Sequence, residues 1–294
     1  MNSMTLIGTS GYSFKWWEFE LVPGIKPFYE KGDMLQQYIK HFDFLELNCT
    51  FYKTPSLKTV LEWKDKTPDN FTFIVKVNNS MTQYKKLVEF DVRFPEFVDL
   101  MSNLGKKLKG FLIQLPPNFT NSKNKSKVDG MTPLERVIWA SDFTKKKYPE
   151  LDIFVEFRHP SWFCEKVYDA IRDKWSLVVV NAGIISKKMT PGFWPPLSDF
   201  PQALTVPGKI YFRNHGPWAT RHYSGSYSDD DLVLMLSLFQ EKTIVAFDNT
   251  DAFDCQCEFQ PFPGKMMFEK EIYQKSHMLP HAVLDAKRMQ KLIK

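Results

Sequence analysis

Eight short apolar runs alternate with segments of helical period along this chain, and that alternation restricts the fold more than any other feature. The runs are residues 5–8, 44–48, 71–77, 111–115, 153–157, 177–181, 210–213 and 243–247. Most are rich in Val, Ile, Leu and Phe and do not alternate strictly with polar residues. That is the pattern of strands covered on both faces. Between them, residues 33–42, 56–66, 95–108, 134–147, 162–174 and 229–241 carry apolar residues at helical spacing, and 282–294 closes the series. Parallel strands need crossover connections, which helices supply. Eight such units predict an α/β fold closed as a (β/α)8 TIM-type barrel. An open doubly wound sheet is the alternative, but no GxGxxG follows the first strand.

The length suits this reading. A barrel needs about 250 residues, and the chain has 294 residues with 43% hydrophobic content. No linker or internal repeat interrupts it, so residues 1–294 are expected to form a single domain. Two units depart from the pattern. Residues 182–208 hold five prolines and little helical period, which predicts a long loop over the barrel mouth and a reduced sixth helix. Residues 253–280 form a C-terminal insertion containing Pro261, Pro263 and Gly264. The basic stretch 121–127, NSKNKSK, reads as a solvated loop.

The formal charge is +5, from 39 basic and 34 acidic residues. That excess suits an anionic ligand without demanding one. The N-terminus has no basic start followed by a long apolar run, so no secretory signal is expected, and no apolar stretch is long enough to span a membrane. Cys49, Cys164, Cys255 and Cys257 fit no disulfide framework or common zinc pattern. A reduced, cytoplasmic protein is expected, with no cofactor, and the oligomeric state is left open.

Functional residues in a barrel sit at the C-terminal strand ends and the loops that follow. There the sequence offers Glu46 and Asn48, Lys76, Gln114, Glu156 with Arg158 and His159, Asn181, Arg213 with His215, and Asp248 with Asn249. Charges inside apolar strands are costly unless paired or solvated. Alternate strand positions face the same way, so Glu46 shares a face with Asn48, and Glu156 with Arg158. Lys76, Arg158 and Arg213 against Glu46 and Glu156 predict a mostly cationic mouth. Thr9, Ser10 and Asn181 are read as turn or capping residues. The rim aromatics Tyr12, Trp16, Trp17, Phe51, Tyr52, Trp162, Trp218 and Tyr223 divide between core packing and stacking on a base or sugar.

In order along the chain, these pieces resemble the YecE-like family, domain of unknown function 72. They are Gly8-Thr-Ser-Gly-Tyr-Ser13, Glu46-Leu-Asn-Cys-Thr-Phe-Tyr52, Pro55-Ser56, Trp63, Thr67-Pro68, Phe71-Thr-Phe73, Lys76, Gln114-Leu-Pro-Pro-Asn-Phe119, Glu156-Phe-Arg-His159, Ser161-Trp162, Tyr211-Phe-Arg-Asn-His-Gly216 and Asp248-Asn249. The resemblance implies a TIM-type barrel and no established activity. A likeness of that family to endonuclease IV and sugar-isomerase barrels implies nucleic-acid or phosphate-ester chemistry by analogy alone. The chain departs from the family pattern at Asn214, where an apolar residue is usual, at Asp248, which replaces the first of two asparagines, and in the long 253–280 insertion.

The leading expectation is an enzyme for a phosphorylated or other anionic substrate, with hydrolysis of phosphate esters one reaction among several. Glu46, Glu156 and His215 are the catalytic candidates. Lys76, Arg158, Arg213, Asn48, Tyr52, Gln114 and Asn249 are the substrate-binding ones. A metal-dependent endonuclease or isomerase using Glu46, Glu156, Asp248 and His215 is an alternative, disfavoured because Lys76, Arg158 and Arg213 would repel a cation. A non-enzymatic nucleic-acid binder is another, and a scaffold with mutually neutralised mouth charges a fourth.

Overall fold

A computed structural model describes residues 4–18, 26–183, 186, 188–218, 222–250 and 280–294. Among the described residues nine strands run in chain order: β1 (Met4–Ser10), β2 (Phe44–Leu47), β3 (Thr72–Lys76), β4 (Leu108–Gln114), β5 (Asp152–Glu156), β6 (Ser176–Ala182), β7 (Gly192–Trp194), β8 (Lys209–Asn214) and β9 (Lys242–Phe247). All but β7 form a closed ring of parallel neighbours, β1-β2-β3-β4-β5-β6-β8-β9 and back to β1. This is the expected (β/α)8 TIM-type barrel, with each of the eight strands at its predicted place.

The α-helices of the described residues are α1 (Met34–Tyr38), α2 (Cys49–Tyr52), α3 (Leu57–Asp65), α4 (Phe90–Met101), α5 (Pro133–Lys147), α6 (Glu165–Ile171), α7 (Asp229–Ser237) and α8 (His281–Leu292). Their ends follow local chemistry. α5 opens on a capping box, in which Thr132 Oγ1 accepts the Glu135 N–H at 3.2 Å and Glu135 Oε2 accepts the Thr132 N–H at 2.7 Å. Ser228 and Asp231 do the same for α7.

Two expectations about the elements change. The helix expected at 95–108 begins at Phe90, holds Pro95 inside it and tightens into a 3-10 turn at Ser102–Lys107. Its first turn is fixed by aromatic packing: Phe90 stacks on Phe94 at 4.5 Å, and Phe94 meets Phe111 of β4 edge-on. Among the described residues of 182–208 there is no α-helix, as expected. The loop adds the short strand β7, which pairs antiparallel with the upper part of β6. The 253–280 insertion lies outside the described residues except for Pro280.

Strand alternation splits the core in two. Phe44, Ile74, Leu112, Phe154, Val178, Val180, Tyr211, Ile244 and Ala246 fill the barrel interior. Leu45, Leu47, Phe73, Val75, Phe111, Ile113, Val155 and Phe212 face the helical layer. Gly8 is required by a close approach, since a Cβ there would stand 2.3 Å from Phe44 O and 2.9 Å from the Tyr38 hydroxyl. That hydroxyl takes the Thr9 N–H at 2.9 Å and donates to Phe44 O at 2.9 Å, bridging β1 and β2 below their ladder.

Candidate functional site

Continuing the interior alternation by one step up each strand leads from apolar to polar residues. Phe44 is followed on the same face by Glu46 and Asn48, Ile74 by Lys76, Leu112 by Gln114, Phe154 by Glu156 and Arg158, Tyr211 by Arg213 and His215, Ala246 by Asp248, and Leu6 by Gly8 and Ser10. The C-terminal end of the barrel is therefore closed by one polar cluster.

Arg213 is its centre and is fully buried. Its Nε donates to Glu46 Oε2 at 2.8 Å, and its Nη2 donates to Glu46 Oε1 at 2.7 Å, Asp248 Oδ2 at 3.0 Å and Ser10 Oγ at 3.3 Å. Its Nη1 donates to Glu156 Oε2 and lies 3.2 Å from His215 Nε2. Glu46 also accepts from Ser10 Oγ at 2.5 Å and from the Tyr211 hydroxyl. Glu156 accepts from Arg158 Nε at 2.6 Å, and Arg158 reaches on to the Tyr223 hydroxyl at 3.3 Å.

His215 stands between two carboxylates. Its Nδ1 is 3.0 Å from Asp248 Oδ2, and its Nε2 is 3.7 Å from Glu156 Oε2. Burial alone would raise the Glu156 carboxyl, but Arg213 and Arg158 outweigh it and hold the group well below the usual range. Asp248 follows the same logic: burial raises it, while Arg213 and His215 bring it below its ordinary value. Both are ionised at neutral pH. The Tyr211 phenol is driven far up by burial and by Glu46, so it remains a donor.

Lys76 is bound differently. It is 5% exposed, its Nζ donates to Asn48 Oδ1 at 3.0 Å, and it lies 4.2 Å from the Phe51 ring centroid. Among the described residues no carboxylate is within ion-pair distance of it. Burial, reinforced by Arg213 and opposed by Asp248 and Glu46, lowers the ammonium to about 8.

The cluster thus unites Glu46, Asn48, Lys76, Gln114, Glu156, Arg158, Arg213 and His215 of the expected set. Gln114 is buried with its Oε1 unpartnered. Tyr52 is 71% exposed on α2 at the rim, edge-on to Phe51. Asn249 does not join, because it falls on the opposite strand face. Its Nδ2 donates to Gly225 O and to Asp285 Oδ2 of α8, both at 2.8 Å, so it fastens a helix. Asn181 faces outward too, and its carbonyl accepts the Tyr227 hydroxyl at 2.7 Å. His159 caps the turn Pro160–Trp162. Trp17 and Trp162 are core residues.

Two members were not among the expected site residues: Ser10, read as a turn residue, and Tyr211, while Asp248 was expected only as a ligand in the metal-dependent alternative. The period-two alternation that joined Glu156 to Arg158 would have found both had it been extended to β1 and β8. Asp248 also alters the charge. Three carboxylates, Glu46, Glu156 and Asp248, face three cations, Lys76, Arg158 and Arg213, so the mouth expected to be cationic is formally balanced.

Among the described residues no three His, Cys, Asp or Glu side chains converge as metal ligands, and no helix is long and apolar enough to cross a membrane. A cleft of about 120 Å³ lined by Thr144, Tyr148, Asp152, Lys174, Ser176 and Lys209 opens at the opposite, N-terminal end of the strands. Asp152 there is paired with Lys209 and, at 3.4 Å, with Lys109. That end of a barrel serves stability.

Comparison with known proteins agrees with this architecture. A DUF72 family protein from Enterococcus faecalis superposes with a TM-score of 0.65 at 20% identity, covering 99% of this chain and 95% of that one. A DUF72 family protein from Thermotoga maritima superposes with a TM-score of 0.63 at 25% identity, covering 99% of each chain. The chain is 30% identical over 131 residues to the UPF0759 protein YecE of Escherichia coli, 45% of this chain and 43% of that protein. It is 30% identical over 141 residues to the UPF0759 protein YunF of Bacillus subtilis, 46% of each. The matched stretch spans less than half the length of these curated relatives. The family described as "Protein of unknown function DUF72" matches residues 6–255, and the chain belongs to that family.

Proposed function

We propose that the protein is an enzyme that binds a small phosphorylated or otherwise anionic substrate at the C-terminal mouth of the barrel. Lys76 carries this reading. A cluster built only to neutralise its own charges pairs each buried cation, because an unpaired buried ammonium is costly. Lys76 is buried against one amide oxygen and one aromatic ring, without a carboxylate in reach among the described residues. Among the described residues two of its three N–H donors have no protein acceptor. An incoming anion supplies both the missing charge and the acceptors.

The other groups take their roles from what they already bond. Arg158 spends Nε on Glu156 and reaches Tyr223 through Nη1, which leaves it further donors for the same anion. His215, between Asp248 and Glu156, is placed for proton transfer. Arg213 was expected to bind the substrate, but each of its N–H groups points at Glu46, Glu156, Asp248 or their neighbours. It frames the site, and anion recognition passes to Lys76 and Arg158. Base stacking receives less support, since Trp17 and Trp162 are committed to the core.

Titration calorimetry with inorganic phosphate and simple phosphate esters tests the proposal on the parent, Lys76→Met and Arg158→Ala. Phosphate is expected to bind the parent and to bind both variants at least about tenfold more weakly, the loss of one charge-assisted interaction of about 1.5–3 kcal/mol. Circular dichroism should stay unchanged. Equal binding by all three proteins, or none by the parent, sinks the anion site.

A further inference from the structure

We propose that Lys76 is an amine nucleophile that forms a Schiff base with a small carbonyl compound bearing a carboxylate or phosphate. This rests on the reading of the mouth as an anion-binding active site and names the chemical class of its substrate.

Position comes first. Lys76 ends β3, and its side chain rises on the inner face into the cluster at the C-terminal end of the barrel. Catalytic groups in this fold come from such strand ends. The surroundings come second. Four charged groups act on the amine from other elements: Arg213 of β8, Arg158 after β5, Glu46 of β2 and Asp248 after β9. Both carboxylates are held by Arg213, Glu46 through a two-point fork and Asp248 at 3.0 Å. Neither is free to lock Lys76 as an ammonium. The two guanidiniums and burial all disfavour the charged form, which is how a lysine becomes a nucleophile near neutral pH. Asn48 Oδ1 at 3.0 Å and the Phe51 face fix the direction of Nζ without neutralising it.

The ammonium, lowered to about 8, is deprotonated in about a tenth of molecules at pH 7. The step balances without an oxidant or reductant. The neutral amine adds to the carbonyl carbon, forming a C–N bond, and the carbonyl oxygen takes a proton to give a carbinolamine. Loss of that oxygen as water, after a second protonation, leaves a protonated imine on Nζ. The amine proton lost on the way offsets one of the two protons taken up. His215, between Asp248 and Glu156, is the group placed to relay them. The imine keeps the positive charge of the ammonium, so the charge balance of the cluster is unchanged. Arg158 is left to meet the carboxylate or phosphate.

The experiment is reductive trapping on the full chain. The protein is incubated with dihydroxyacetone phosphate or with pyruvate and sodium borohydride, then mapped by peptide mass spectrometry. Label is expected on Lys76 roughly tenfold or more faster than on the exposed Lys58, since burial and the two guanidiniums leave Lys76 a larger share of free amine at pH 7 than an ordinary solvated lysine has. Labelling should quicken as pH rises through about 8 and slow when inorganic phosphate is added. Lys76→Arg keeps a cation, so it should still bind phosphate while taking no label there. If the parent binds phosphate but Lys76 labels no faster than Lys58, the Schiff-base inference is overturned and the anion site stands. If labelling at Lys76 is indifferent to phosphate, the anionic substrate class is overturned. If phosphate neither binds nor competes and no label appears, both readings fall.

Discussion

A guanidinium without exposed surface survives inside a barrel because each of its N–H groups finds an acceptor. Arg213 meets Glu46, Glu156, Asp248 and Ser10, and an uncompensated charge at this depth would be far more costly than the lost packing of an apolar residue. The dependence is mutual. Arg213→Met leaves three carboxylates buried among fewer donors, and breaking such a pair costs about 3–5 kcal/mol. Urea unfolding at pH 7 should report a loss of that order. The pH profile supplies a second readout. Glu156 and Asp248 are held below their ordinary values, so their contribution is present above the unfolded carboxylate range and is lost as pH falls through the lower folded values. The parent should lose stability steeply as pH drops below about 4. The variant, lacking the cation that depresses both groups, should lose less over that window. A variant as stable as the parent with the same acid limb would remove Arg213 from the centre of this account. Much of the cluster was legible residue by residue, since Glu46, Lys76, Glu156, Arg158 and Arg213 stand out as charges in apolar strands. Ser10 and Tyr211 were not, because neither is conspicuous until the face it shares with Glu46 or Arg213 is known. Asn249 misled because proximity to a strand end does not fix which face a side chain takes.

At the scale of elements, α8 packs Val283, Ala286 and Met289 into the core, and its buried polar link to the barrel centres on one carboxylate. Asp285 is fully buried and accepts from Ser226 Oγ at 2.5 Å, the Tyr227 N–H at 3.1 Å, Asn249 Nδ2 at 2.8 Å and Arg288 Nη1 at 3.0 Å. It therefore joins the last helix, the segment before α7 and the end of β9. Hydrogen bonds to a charged group are worth about 1.5–3 kcal/mol each, with strong overlap among neighbours. Asp285→Ala is expected to speed hydrogen exchange in α8 and at Tyr227 while β3 and β4 stay protected. Uniform exchange across the barrel would argue against α8 as a separately anchored element. The strands and most helices could be read from periodicity, because short buried runs and amphipathic stripes report burial directly. The first turn of α4 and the strand β7 could not. Phe90 commits to the helix through Phe94 and Phe111, and β7 forms because the upper part of β6 has no β5 residue to pair with. Both are tertiary effects that override local signals.

The whole barrel is not equally stitched around its circumference. β1 pairs with β9 from Met4 to Thr9, and β8 with β9 from Lys209 to Asn214. By contrast, β1 meets β2 only at Thr9 and Ser10, and β5 meets β6 only at Phe154 and Val155. These two short seams divide the ring into two halves, β2-β3-β4-β5 and β6-β8-β9-β1. The polar cluster spans the division. Ser10, Tyr211, Arg213, His215 and Asp248 come from one half, and Glu46, Lys76, Glu156 and Arg158 from the other. Arg213 bonds across it to Glu46 and Glu156, the residues at or beside the seams. The candidate site is thus also the clasp that closes the barrel, and stability and site geometry rest on the same contacts. Local opening should then begin at the seams, where the fewest backbone bonds must break. In native-state hydrogen exchange the Gly11 amide, which donates to Glu46 O at 2.9 Å across the β1–β2 seam, should exchange through partial opening, and those of Ile244 and Val245 only on global unfolding. Arg213→Met should widen that gap by weakening the seams more than the two halves. Should seam and central amides lose protection equally in the variant, the barrel is one uniform ring, and the cluster holds the site without holding the fold.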